Sequence, residues 1–255
     1  QIKVDVTLMN AFPEEIQLWA KNYSVDLPEL INVYTKIAKN LSEDIELPLT
    51  SSEKLNLEKS KKVDPEAYEL YLKGKFNLGL LTLEGIKTAQ SYFEKAIKID
   101  SNFAPAYAEL AGVFIAYKQM LFKPSEETDS IIDVYINKTF QLDSLNAETW
   151  KWYASKLRYD YKWKECNLAM EKSIELNPNL PESRAFYAHF LMMQNKWEES
   201  WKQINFAVEL DPLNPWVKFF KNVMHLHYGE FDRIKDKNGS SDIILNSHLN
   251  EYDNA

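Results

Sequence analysis

Three sets of residues have the types that do chemistry elsewhere, and their spacing decides whether they do it here. His225 and His227 flank Leu226. Residues two apart on a helix do not face one another, and no Cys or acidic ligand accompanies them at a metal-binding interval. Cys166 is the single cysteine. A nucleophile needs an adjacent base and an electropositive niche, and the sequence around Cys166 supplies neither, so it reads as a small buried hydrophobe. The pairs Glu14-Glu15, Glu126-Glu127 and Glu198-Glu199 fall at turns or helix starts, where carboxylates complement the helix dipole. No glycine-rich phosphate loop, nucleophile elbow or zinc motif is present. These residues predict a chain that is not an enzyme and carries no metal and no cofactor.

The elements that would position any site repeat themselves. Pro178 and Pro212 lie 34 residues apart, and the same shift superposes Tyr153 on Tyr187, Ala154 on Ala188, Leu157 on Leu191, Trp163 on Trp197 and Leu176 on Leu210. Within each copy the apolar residues recur at three- and four-residue steps, one face of a helix. Cys166, Met170, Ser173 and Ile174 answer from a second helix. An earlier copy runs from Ala67 to Phe103, with Leu70, Gly74, Ala89, Phe93, Ala96 and Ile99 in the corresponding places. Its small residues Gly74 and Ala89 let two helix backbones approach, with Phe93 filling the groove beside them. The next copy, residues 104–146, is longer. Asp100 and Asp143 stand 43 apart, which places an insertion around residues 118–129, where Pro124 and the cap candidate Ser125 break the helices. A fifth unit opens at Pro215 with Trp216, Phe219, Val223 and Leu226, then degenerates into Asn238-Gly239-Ser240-Ser241, a breaker cluster. Ser241 is a candidate cap for a last helix over residues 242–252, whose Ile243, Ile244, Leu245 and Leu249 would cover the end of the stack.

A period of about 34 residues resembles the tetratricopeptide (TPR) repeat. The fold class expected is therefore mainly α, a TPR superhelix of antiparallel helix pairs. The resemblance implies peptide binding in a concave groove lined by first helices. By repeat register that lining comprises Tyr71, Lys75, Lys151, Ser155, Arg158, Tyr159, His189, Met192, Met193, Phe219 and Val223. Lys151 and Arg158 are suited to grip a carboxylate or acidic peptide, and Met192 and Met193 to adapt to an apolar segment. The two-carboxylate clamp of chaperone-binding TPRs places an Asn beside its Lys and Arg; Ser155 departs from it. Most aromatic residues fall at packing positions, while Trp201 and Trp216 lie off the core stripe and are the better binding candidates.

The N-terminus differs. Val4, Val6 and Leu8 alternate with Lys3, Asp5 and Thr7, a half-buried strand. Asn10–Glu15 is a turn, and Ile16–Tyr23 alternates again, so the two runs read as a hairpin. Asp26 and Glu29 form a capping box for a helix carrying Leu30, Tyr34, Ile37, Leu41 and Ile45. Thr50 and Glu53 form a second box for a helical connector, which Asp64-Pro65 ends. Leu8, Glu15, Trp19, Tyr23, Ala67, Tyr68, Tyr71, Leu72 and Gly74 together resemble the end of a TolB-like (FlgO-like) α/β domain at its junction with TPR repeats. That pairing is found in bacterial proteins with an adenylate or guanylate cyclase domain or a winged-helix domain upstream. The expected organisation is residues 1–48 as the β-β-α remnant of that domain, 49–64 as connector, 65–236 as about four and a half repeats, and 237–255 as capping helix or tail. A two-stranded hairpin is marginal alone, and the absence of an initiating Met also suggests a fragment. Its uncovered edge leaves a homodimer open.

Composition bounds the partners. A net charge of −8 argues against nucleic acid, which needs clustered Lys and Arg, and against adsorption to anionic membranes. No run of about 18 apolar residues spans a membrane. The function expected is a non-catalytic scaffold that binds a protein or peptide and regulates an upstream output domain. The alternative is a small-molecule sensor. The compartment expected is the cytoplasm, or the periplasm if the parent is a membrane-spanning regulator.

Overall fold

The structure, a computed structural model, describes residues 2–10, 16–25, 30–46, 64–119 and 125–229. The capping boxes at Asp26 and Thr50, Pro124, the connector over 49–63 and the end helix over 242–252 lie outside the described residues. The chain divides into two compact units, residues 1–68 and 69–255.

In the first unit, β1 (Ile2–Asn10) and β2 (Ile16–Val25) pair antiparallel, with Val4 opposite Tyr23, Leu8 opposite Trp19 and a register shift between Leu8 and Met9. The alternation does what period two requires: Val4, Val6 and Leu8 are half-buried and Lys3, Asp5 and Thr7 exposed. On β2 the covered face is Trp19, Lys21, Tyr23 and Val25. Helix α1 (Leu30–Asp44) packs on β2. The Trp19 indole and Lys21 ammonium both donate to Asp44, at 2.9 and 3.1 Å, and Asn40 donates to the Tyr23 hydroxyl at 3.2 Å. The Trp19 and Lys21 hydrogen bonds hold the Asp44 carboxyl below the ordinary aspartate range.

The rest is helical: α2 (Pro65–Leu78), α3 (Leu83–Ile99), α4 (Ala104–Gln119), α5 (Ser125–Leu142), α6 (Ala147–Tyr159), α7 (Trp163–Leu176), α8 (Pro181–Met193), α9 (Trp197–Leu210) and α10 (Pro215–His227). They form consecutive antiparallel pairs, α2/α3 to α8/α9, with α10 opening a fifth. Each of α4, α6 and α8 packs on its own second helix and on the next first helix. The mainly α fold with a small N-terminal hairpin is the architecture the sequence predicts.

The helix ends follow from local chemistry. Asp64 accepts from the N–H groups of Glu66 and Ala67, Thr82 from Gly85, Asn146 from Thr149, and Asn214 from Trp216 and Val217. These side chains satisfy donors that a first turn leaves orphaned. Pro65, Pro181 and Pro215 start their helices, where a missing N–H costs nothing. The turns after α6, α8 and α10 each hold a left-handed residue. Tyr161, Asn195 and Gly229 take φ of 56°, 59° and 76°, each 34 residues after the last, so the backbone carries the repeat as clearly as the side chains do.

Close packing needs small residues where helices cross. A Cβ built on Gly74 would overlap the Phe93 ring, and one on Gly112 would overlap the Trp152 indole. Buried hydroxyls tie pairs together: Ser173 meets Ser183 and the Ala147 carbonyl, both at 2.7 Å, and Ser200 donates to the Ala188 carbonyl at 2.7 Å.

Candidate binding site

The first helices of the repeats do not leave an open trough. Trp152, Phe186 and Phe220, spaced 34 residues apart, meet edge to face along it. Trp152–Phe186 and Phe186–Phe220 ring centroids are 5.2 and 4.7 Å apart. Trp216 joins them at 5.2 Å from Phe186. At one end of this column the corresponding place in α4 holds not an aromatic ring but Glu109, 43 positions before Trp152, the interval that separates Asp100 from Asp143.

Glu109 faces a chamber of about 290 Å³, to which every first helix contributes. Lys75, Phe76 and Leu78 come from α2, Gly79 and Leu80 from the following turn, Glu109 from α4, Lys151 from α6, Glu182 from α8, and Pro215 and Trp216 from α10. Beside it Leu78, Leu81 and Ile86 of the first repeat share a small apolar void of about 10 Å³ with Trp216 and Phe219 of the fifth. The first repeat thus meets the fifth, which fills the expected trough from within.

Several charged groups there have hydrogen-bond partners. Glu148 of α6 accepts from the Lys75 ammonium at 3.0 Å and from the Tyr71 hydroxyl at 3.2 Å. Glu182 accepts from Asn214 at 3.1 Å. Burial opposes the charge on Lys75, yet Glu148, Tyr71 and Glu109 together raise its pKa. Burial likewise works against ionised Glu148, and Lys75 and Lys151 nevertheless lower its pKa. The phenol of Tyr71 is pushed well above its ordinary value by burial and by Glu148.

Two groups are left over. Glu109 is 1% exposed, and its Oε1 has no hydrogen-bond donor; the Lys75 ammonium approaches only to 4.0 Å. Burial raises its pKa, with Lys151 and Lys75 offsetting only part. Lys151 is 2% exposed, and its ammonium lies 4.1 Å from the Trp152 ring centroid and 5.6 Å from that of Phe186. Among the described residues no carboxylate pairs directly with it.

The eleven residues expected to line one groove are divided. Lys75 and Lys151 lie at the chamber, and Tyr71 reaches it through Glu148. Arg158, Tyr159 and Met193 meet elsewhere: the Arg158 guanidinium lies 3.9 Å from the Tyr159 ring centroid, its Nη1 is 3.9 Å from Met193 Sδ, and Lys118 covers Tyr159 from the other helix pair. His189 stacks on Phe220 with centroids 4.8 Å apart, and Phe219 borders the apolar void. Ser155, Met192 and Val223 are buried in helix packing, Ser155 donating to the Lys151 carbonyl at 3.0 Å, so they present almost no surface to a ligand. Register located the first helices but not how tightly they converge. Glu109, Glu148 and Glu182 escaped notice. The available signal was Glu109 in a column otherwise holding Trp152, Phe186 and Phe220.

The residues with chemical types stay apart. Cys166 is buried, which pushes its thiol up to about 12. His225 is buried against Trp201, with centroids 5.1 Å apart. Among the described residues no His, Cys, Asp and Glu group could hold a metal, and no helix is long and apolar enough to cross a membrane.

Antiparallel helix pairs at a 34-residue interval, small residues at their crossings and a left-handed residue in the turns after α6, α8 and α10 make this a helical repeat of tetratricopeptide type. No family model matches the chain. It is 27% identical over 94 residues to "Putative adenylate cyclase 3" of Rhizobium meliloti (strain 1021), a match covering 37% of this chain and 16% of that protein. The chain thus corresponds to a minor part of that relative. Among solved structures it is similar to TTC0263, a thermophilic TPR protein of Thermus thermophilus (TM-score 0.49, 10% identity, 77% of this chain and 91% of that one). It is also similar to pilF of Pseudomonas aeruginosa (0.44, 19%, 73% and 87%) and to YrrB, a TPR protein with an unusual peptide-binding site (0.36, 16%, 80% and 95%).

Proposed function

We propose that this chain is a non-catalytic recognition module that binds a protein segment on behalf of a longer bacterial signalling protein. The observation that carries this reading is an exposed apolar stripe that runs from α2 into the turn after it. Leu72, Phe76 and Leu80 follow one another at four-residue steps and are 47%, 71% and 43% exposed, with Phe76 and Leu80 at the rim of the chamber. A contiguous apolar stripe of this kind marks an interaction surface, and its spacing suits the apolar face of an amphipathic helix. The resemblance to the TolB-like junction and the match to a Rhizobium protein with a cyclase name support a signalling context, and with it the cytoplasm. Photo-crosslinking from position 73, with Phe76→Glu as control, tests it. The expected result is a crosslinked protein partner lost in Phe76→Glu. No partner, or a partner indifferent to Phe76, removes the reading.

A second reading, ligand sensing, is favoured by the chamber. Its walls come from all five first helices, so a molecule bound there would bear on the spacing of every repeat at once. A thermal-shift screen of metabolites tests it, because a ligand binding only the folded form raises stability by mass action.

A further inference from the structure

We propose that the chamber binds a small zwitterion with an apolar side chain, a free amino acid being the fitting class. The inference rests on the ligand-sensing reading and names its ligand. Of the other charged groups at the chamber, Lys75 is ion-paired with Glu148 behind it, and the Glu182 carboxylate accepts from the Asn214 amide. What remains is one acceptor, Glu109 Oε1, and one donor, the Lys151 ammonium. Both belong to side chains almost wholly removed from water, and both face the same space of about 290 Å³.

A buried acceptor without a donor costs free energy, and so does a buried ammonium whose neighbours are the faces of Trp152 and Phe186. The two are of opposite sign and attract, but no hydrogen bond joins them, and the attraction offsets only part of what burial costs Glu109. A ligand with only an ammonium would answer Glu109 and leave Lys151 as it is; one with only a carboxylate would do the reverse. A zwitterion answers both, and brings no net charge into the chamber. The remaining wall is apolar: Phe76, Leu78 and Leu80 on one side, Pro215 and Trp216 on the other. That surface accepts a branched or aromatic side chain, and the half-buried Trp216 ring would report its arrival. Because Phe76 and Leu80 are exposed, they mark the way in.

The test uses the whole chain and titrates leucine and phenylalanine as probes, with isoamylamine and isocaproate as the single-charge counterparts of leucine. Binding is read by intrinsic fluorescence and by the shift in melting temperature. The expected result is saturable binding of an amino acid, at least tenfold tighter than either counterpart, and weakened at least tenfold in both Glu109→Gln and Lys151→Met. Glu109→Gln removes a carboxylate that burial disfavours, so it stays folded, and its own melting curve verifies this. If both variants bind as the parent does, or if neither amino acid binds, the zwitterion assignment is overturned. If isoamylamine binds as tightly as leucine and depends on Glu109 alone, the assignment falls while ligand sensing stands. If no metabolite of the wider screen binds either, both fall.

Discussion

The ammonium of Lys75 and the carboxylate of Glu148, 73 positions apart in the chain, lie 3.0 Å from each other. This pair joins the first repeat to the third without passing through the second. Its surroundings make it consequential: each partner is drawn toward its charged form against the pull of burial. Glu148→Gln leaves an ammonium in a place built for a pair and removes the stronger acceptor of the Tyr71 hydroxyl. Because Lys75 keeps some solvent contact, the cost is about 2 kcal/mol rather than that of a sealed ion pair. Urea denaturation measures it, and a cycle with Lys75→Met separates the pair from its parts.

Glu109 gives a pH dependence of opposite sign. Its folded pKa lies above the ordinary glutamate value of 4.5, so the folded state binds its proton more tightly than the unfolded chain does. The stability it contributes is complete below 4.5 and is lost as pH rises through the folded value. Glu109→Gln abolishes this loss. The variant is expected to exceed the parent in denaturation midpoint at pH 7, and the difference to shrink as pH falls toward 4.5. A difference that grows on acidification would contradict the account.

Tyr161 holds φ of 56° while its side chain is 79% exposed. At the equivalent places the chain uses Asn195 and Gly229, residues that occupy the left-handed region at little cost. Tyr161→Gly is therefore expected to stabilise the fold by about 1 kcal/mol, less whatever the loose ring contact with Trp163, at 6.5 Å, contributes. Thermal denaturation at fixed pH decides it.

Cys166 and Ser200 are equivalents one repeat apart, and Ser200 donates to the Ala188 carbonyl. The equivalent acceptor for residue 166 is the carbonyl of Ala154. Cys166→Ser should find that partner and cost less than about 1 kcal/mol, whereas Ser200→Val strands no donor but must fit a larger side chain between helices. Iodoacetamide should label native Cys166 slowly, at a rate that follows opening of the fold, because burial holds the thiol protonated.

The helix pairs were legible because each is a local statement. Apolar residues at three- and four-residue steps, prolines 34 apart and small residues such as Gly74 and Ala89 fix how two neighbouring helices cross, and those contacts are close in sequence. The hairpin was legible for the same reason, through Val4, Val6 and Leu8. The chamber was not. Whether α2 ends beside α10 depends on small rotations summed over four junctions, and no single junction records the sum. Lys151 illustrates the gap: its helix face was readable, but its seat over Trp152 follows from Gly112, which lets the indole lie against α4. Glu109 was hidden by the insertion, because the 43-residue interval shifts it out of the 34-residue column in which it belongs.

The apolar void shared by Leu81, Ile86, Trp216 and Phe219 carries a last implication. Arrays of this architecture ordinarily fray from their tips and gain or lose units freely, since each unit touches only its neighbours. Here the first unit is also fastened to the fifth. Melting should lose its stepwise character and become a single event, and the number of units ceases to be adjustable: a duplicated pair would part Leu81 from Phe219 and leave both faces wet.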